Sequence, residues 1–147
     1  MDSVKTLNKL LQIRENEKNQ AQKEHAESVN TFEQLASDLY KLLKKKEQVE
    51  EELSLSQSRV MSIGEIQSKS IYLENLMKKA ILLQEKVNEA RTTMEQKRTL
   101  LTEAHIEMSK VEKLIEFRVK EIRAQRTRVE NMQMDEISIQ QYMAKNG

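Results

Sequence analysis

The sequence has no proline, no cysteine and no tryptophan, and its 147 residues include only two glycines, Gly64 and Gly147. Each absence excludes something. Without cysteine there is no disulfide framework and no thiolate to hold a metal or attack a substrate. Without proline, and with a single internal glycine, the chain is short of the residues that punctuate a globular fold. Two glycines cannot build either common phosphate cradle, G-x-x-x-x-G-K-[ST] or G-x-G-x-x-G. Aromatic residues make up only 3% of the chain, and the longest wholly apolar run is Ala80 to Leu83, far short of the ~20 residues that cross a bilayer. The opening residues, Met1 to Thr6, lack a basic segment followed by an apolar one, so no signal peptide is expected. Lys and Arg number 25 against 24 Asp and Glu. Nothing in that balance calls for nucleic acid or an anionic membrane.

What the sequence does have is a period. From Ile66 to Met143, alternating steps of three and four residues follow one frame: Ile66, Lys69, Leu73, Leu76, Ala80, Leu83, Val87, Ala90, Met94, Lys97, Leu101, Ala104, Met108, Val111, Ile115, Arg118, Ile122, Gln125, Val129, Met132, Glu136, Ile139 and Met143. Eighteen of these 23 positions are apolar, where the 37% hydrophobic content predicts about 8 or 9. The mean spacing of 3.5 residues is that of a coiled coil. It predicts a helix of about 80 residues, roughly 120 Å at 1.5 Å per residue. So narrow a stripe cannot be buried by the helix that bears it, so a partner helix is required.

The first half carries a second seam: Val4, Leu7, Leu11, Arg14, Lys18, Ala21, His25, Ser28, Phe32, Leu35, Leu39, Leu42, Lys46, Val49 and Leu53, ten of the 15 apolar. Polar residues at Arg14, Lys18, His25 and Ser28 predict that its middle is the least stable part. Between the seams lies a serine-dense stretch, Ser54 to Ser62. Ser62 and Glu65 have the spacing of a capping box, and Met61 and Ile66 that of a hydrophobic staple. A second helix therefore starts near Ser62. The expected fold is all-α, a long antiparallel two-helix coiled-coil hairpin over residues 1–147, with a helix over about 3–57, a turn over about 58–62 and a helix over about 63–144.

If the chain folds back near residue 61, paired positions add to about 122. Val4 then faces Arg118, and His25 faces Lys97 in a polar layer that fixes alignment. The first helix runs out there, whereas the second continues with Ile122, Val129, Met132, Ile139 and Met143 on its seam. A protruding C-terminal helix with an uncovered apolar stripe is a surface for another protein. The run Arg118, Lys120, Arg123, Arg126 and Arg128 suits phosphate or an acidic protein surface. The plainer reading is a solvated face, since Glu116, Glu121 and Glu130 are interspersed. His25 and His105 stand alone, outside any H-E-x-x-H pattern, so no metal and no cofactor are expected. Carboxylates such as Glu50, Glu51 and Glu52 fall on exposed helix faces, without the burial that tunes an acid for catalysis. The chain is expected not to be an enzyme.

Several stretches together are similar to the FliJ family of the bacterial flagellar export apparatus: the head Leu7-Asn-Lys-Leu-Leu-Gln-Ile-Arg-Glu-Asn-Glu17, the turn Met61-Ser-Ile-Gly-Glu-Ile66 followed by Tyr72-Leu-Glu-Asn-Leu-Met-Lys-Lys-Ala-Ile81, Val111-Glu-Lys-Leu-Ile-Glu-Phe-Arg118, and the ending Met134-Asp-Glu-Ile-Ser-Ile-Gln140. The family usually has an aromatic and a glutamine just after the turn, where this chain has Ser68-Lys-Ser-Ile-Tyr72. The resemblance implies a cytoplasmic component of flagellar type III secretion, built like the γ-subunit stalk of rotary ATPases and associated peripherally with the inner membrane at the flagellar base. It implies as partners the hexameric export ATPase, the cytoplasmic part of the export gate and export chaperones. Leu73, Met77, Ala80 and Gln84 become the gate-binding stripe. Arg123, Arg126, Val129, Met132, Asp135, Glu136 and Ile139 become the ATPase-binding residues, carried by a monomer. Two alternatives stand beside this reading: the equivalent stalk of a virulence secretion system, and a structural coiled coil that dimerises through its exposed seam.

Overall fold

The computed structural model describes residues 2–55 and 61–146, and its only regular elements there are two helices, α1 (Asp2–Leu55) and α2 (Ile63–Asn146). They pack against each other as an antiparallel hairpin. The turn expected over about 58–62 lies mostly outside the described residues. At the start of α2 the Ser62 hydroxyl accepts a hydrogen bond from the Glu65 amide at 3.2 Å. The Ser62 carbonyl accepts the first helical bond, from the Ile66 amide at 3.2 Å. Ser62 is therefore the N-cap, as its spacing from Glu65 suggests. The returning bond from the Glu65 carboxylate is absent among the described residues, so half of the capping box forms. Ser62→Ala should lower the stability of the hairpin by about 1 kcal/mol; a urea midpoint unchanged from that of the parent chain would show that the cap contributes nothing.

The seams explain which side chains leave water. Between Ile66 and Met108 the residues of α2 that are not exposed are the thirteen seam positions and no others, and all fifteen seam positions of α1 are half-buried or buried. Among the described residues the buried core is small, consisting of Leu39, Val49, Leu76, Val87 and Val111. Most of the seam is half-covered, because a two-helix hairpin encloses each position from one side only.

The chain falls into two compact units. The unit Gln20–Thr102 holds four of the five buried residues. The polar positions of the α2 seam find carboxylates on α1 here. Lys69 pairs with Glu52 at 3.1 Å and Lys97 with Glu24 at 3.3 Å, the residue numbers of each pair adding to 121. A lysine at a seam position lays its methylene stem along the apolar stripe and carries its ammonium to the rim. The pairs are partly exposed, so each contributes little to stability. Their larger effect is on register, because a slip by one turn would separate both. In the layer where His25 is expected opposite Lys97, the ammonium reaches Glu24, which flanks the seam, while the His25 carbonyl accepts a bond from the Ser28 hydroxyl at 2.7 Å. The Gln20 amide and the Lys97 ammonium together hold the Glu24 carboxyl below its ordinary range. That contribution to stability is present at neutral pH and is lost as the pH falls and the carboxylate takes up its proton. The Arg91 guanidinium lies 5.5 Å from the centre of the Phe32 ring, a further contact across the helices.

The other unit comprises Met1–Asn19 and Glu103–Gly147. Its one buried side chain among the described residues is Val111. Arg14, polar on the seam, turns to its own helix and pairs with Glu17 at 3.0 Å. Thr6 and Leu7 lie beside Leu114 and Arg118 around a shallow pocket. Past that point α1 has ended, and α2 continues alone.

Candidate functional site

Ile122 is the last half-buried residue of α2; every described residue from Arg123 to Asn146 is exposed. The heptad frame does not stop there. Val129, Met132, Ile139 and Met143 continue the seam with 53 to 69% of their surface open to water. An apolar stripe that is covered as far as Ile122 and then uncovered, on a helix that keeps its period, is a half-interface. The ATPase-binding residues expected from the sequence, Arg123, Arg126, Val129, Met132, Asp135, Glu136 and Ile139, all lie on this free segment. Off the seam, Met134, Ile137 and Tyr142 are also exposed, so the segment offers apolar contacts on more than one side. Arg118 pairs with Glu121 at 3.4 Å. Among the described residues, Lys120, Arg123, Arg126 and Arg128 form no ion pair.

The four residues expected to meet the gate divide between two environments. Leu73 and Ala80 are half-buried on the seam, whereas Met77 and Gln84 are exposed. Met77, Ala80 and Gln84 line one shallow groove with Leu39, Leu43 and Ile81, and Leu73 lies outside it. Leu43 and Ile81 are exposed apolar residues of this groove that the seam pattern does not include. Leu43 follows the seam residue Leu42 on α1 and Ile81 follows Ala80 on α2. An apolar residue immediately after a seam position was the available signal. The Gln84 amide donates to Asn88 at 3.1 Å, which presents its remaining polar atoms to solvent. Lys46 and Glu85 complete the lining, and aliphatic walls edged by an amide and two opposite charges suit a partner's apolar side chain with polar neighbours. They hold no group poised for bond-making.

The family model described as "Flagellar FliJ protein" matches residues 3–147. The "Flagellar FliJ protein" of Bacillus subtilis (strain 168) is 36% identical to the chain over 135 residues, covering 92% of each. No solved structure matches the chain.

Proposed function

The chain belongs to the FliJ family of flagellar proteins, and from that premise we propose that it is a non-enzymatic stalk and adaptor of the flagellar protein-export machine. It works in the cytoplasm, peripheral to the inner membrane at the base of the flagellum. Its free C-terminal helix enters the hexameric export ATPase, and the groove at Met77, Ala80 and Gln84, with Leu73 alongside, receives the cytoplasmic domain of the export gate. Escort of export chaperones is a further role that the resemblance implies. The observation that carries the reading is the uncovered continuation of the seam at Val129, Met132, Ile139 and Met143. A stalk needs a projecting helix whose apolar stripe is reserved for the ring, and the apolar contacts supply affinity while Arg123, Arg126, Asp135 and Glu136 set orientation and on-rate.

The test is a pull-down of the purified chain against the export ATPase from the same organism, with ATP hydrolysis followed in its presence and absence. Capture with a changed rate of hydrolysis is the expected result. Failure to capture a folded, active ATPase would remove the stalk reading. A dimer of this chain persisting at micromolar concentration in sedimentation would then assign the free seam to self-association.

A further inference from the structure

A charge balance near zero hides an uneven distribution around the hairpin in the unit Gln20–Thr102. At roughly 100° per residue, Tyr72, Lys79 and Lys86 of α2 recur within about 40° of one another, and Lys41 lies within about 40° of Lys45 on α1. Lys45 and Tyr72 line one shallow groove with Glu52 and Lys69, so the two rows share a flank. The groove at Leu43, Met77, Ala80 and Gln84 lies on the other flank, since Leu43 is about 160° from Lys45 and Met77 about 140° from Tyr72. Lys41, Lys45, Lys79 and Lys86 are exposed and form no ion pair among the described residues. The carboxylates of their flank stand at its ends, Asp38 and Glu89 at one, Glu65 and the Lys69-bound Glu52 at the other. The numbers of Lys45 and Lys79 add to 124, close to the 121 of the ion pairs across the helices, so two cations face each other. Their repulsion opposes the hairpin on its own, and an anion from outside offsets it. The groove flank is acidic: Glu85 lines the groove, Glu47 and Glu50 lie within about 40° of Leu43, and Glu50 already holds Lys46 at 3.5 Å.

We propose that the flank of Lys41, Lys45, Lys79 and Lys86 rests on an anionic bilayer surface, with the groove turned away from the lipid. Charge complementarity carries the inference. An anionic plane attracts the lysine flank and repels the flank of Glu47, Glu50 and Glu85, so one orientation of the hairpin is selected. All four cations are lysines. An ammonium on a flexible stem suits headgroups that have no fixed register, whereas a fixed carboxylate on a protein is matched by the fork of an arginine. Tyr72 and Leu82, 44% and 61% exposed, stand beside Lys79. Aromatic and aliphatic side chains among lysines are the composition of a helix face seated at the headgroup level. The inference rests on the peripheral placement proposed above only for which membrane is met, and it leaves the groove open while the hairpin is held.

The experiment sediments the full chain with vesicles of phosphatidylglycerol or of phosphatidylcholine at about 20 mM and about 300 mM salt. The chain is expected to bind phosphatidylglycerol at low salt, to leave it at high salt and to ignore phosphatidylcholine. Lys41→Gln, Lys45→Gln, Lys79→Gln and Lys86→Gln combined should lower the partition onto phosphatidylglycerol about tenfold. A control with the same change in net charge, Lys5→Gln, Lys9→Gln, Lys23→Gln and Lys113→Gln combined, should stay within about twofold of the parent. All eight residues are exposed, and far-UV circular dichroism checks that the helices are intact. Equal losses in the two variants would mean that net charge alone acts, and would overturn the flank. A parent chain that binds neither vesicle overturns the inference outright; loss of export-ATPase capture by the flank variant would then assign these lysines to an acidic protein surface. Because the chain has no cysteine, Leu82→Cys and Met77→Cys each take a single polarity-sensitive label. Its emission should move to the blue on vesicles at Leu82 and stay unmoved at Met77, and the reverse would show the groove against the lipid and overturn the orientation. The vesicle assay contains neither ATPase nor gate, so its failure leaves the stalk reading standing.

Discussion

Ending the chain after Lys120 should abolish capture of the hexameric export ATPase while leaving a helical hairpin of nearly the same stability. All five buried residues, Leu39, Val49, Leu76, Val87 and Val111, lie before the cut. So do the two ion pairs across the helices, Glu24 with Lys97 and Glu52 with Lys69. The cut removes one half-buried side chain, Ile122, and otherwise only exposed ones. At ~25 cal/mol per Å² of apolar area the lost burial is of order 1 kcal/mol. Against that small structural loss, the truncation removes the entire uncovered stripe and the cations Arg123, Arg126 and Arg128. Thermal unfolding by circular dichroism and the pull-down, run on the same preparation, separate the two effects. If the shortened chain captures the ATPase as well as the full one, the free helix is not the binding element, and the pocket beside Leu7 and Leu114 becomes the next place to look.

The largest stability effect is expected from Val87→Asp. Val87 is 3% exposed, and a carboxylate there loses the burial of the isopropyl group and sits in the seam without a partner. The combined cost is roughly 3–5 kcal/mol, a severe loss in a hairpin with so few buried side chains. The same substitution at Val129, on the same heptad frame but 53% exposed, should change stability by less than about 0.5 kcal/mol. Urea midpoints for the two variants form one comparison. Equal midpoints would mean that position on the seam, and not coverage by α1, sets the energetics, and the distinction between the paired and free parts of α2 would fall. Val129→Asp should instead weaken ATPase capture, which Val87→Asp affects only by unfolding the hairpin.

Much of this fold was legible because a two-helix hairpin has one buried direction per helix, and a heptad frame reads that direction. The frame placed Leu76, Val87 and Val111 at the buried face and followed the covered residues of α2 without a skip to Met108. It also predicted where cover stops, since residue numbers that add to a constant leave α2 unpaired once α1 begins. The frame left the ion-pair partner of Lys97 unnamed. A seam records the positions on the axis between helices, and a lysine stem is long enough to leave that axis, so the ammonium found Glu24 at the rim and not His25. The groove was partly invisible for the same reason: Leu43 and Ile81 flank the seam, and a template built on the seam counts flanking positions as solvent. The candidate gate stripe did not come from periodicity at all. Leu73 and Ala80 are ordinary seam residues by that measure, and their assignment rests on resemblance to a family.

The free part of α2 also has a particular physical status as a helix. An isolated helix of that length must meet the cost of its first turn and is marginal in water. This one is spared that step, because the paired turns before Ile122 are a standing nucleus from which it elongates one hydrogen bond at a time. Its order is thus borrowed from one end. Fraying proceeds from Asn146 inward, and a break introduced close to Arg123 would disconnect everything beyond it, whereas a break near Tyr142 would cost only the last turn. β-Branched residues at Thr127, Val129, Ile137 and Ile139 weaken elongation along the way. A partner that grips the seam there supplies the tertiary contacts the segment lacks, so docking and the final stiffening of the helix are one event.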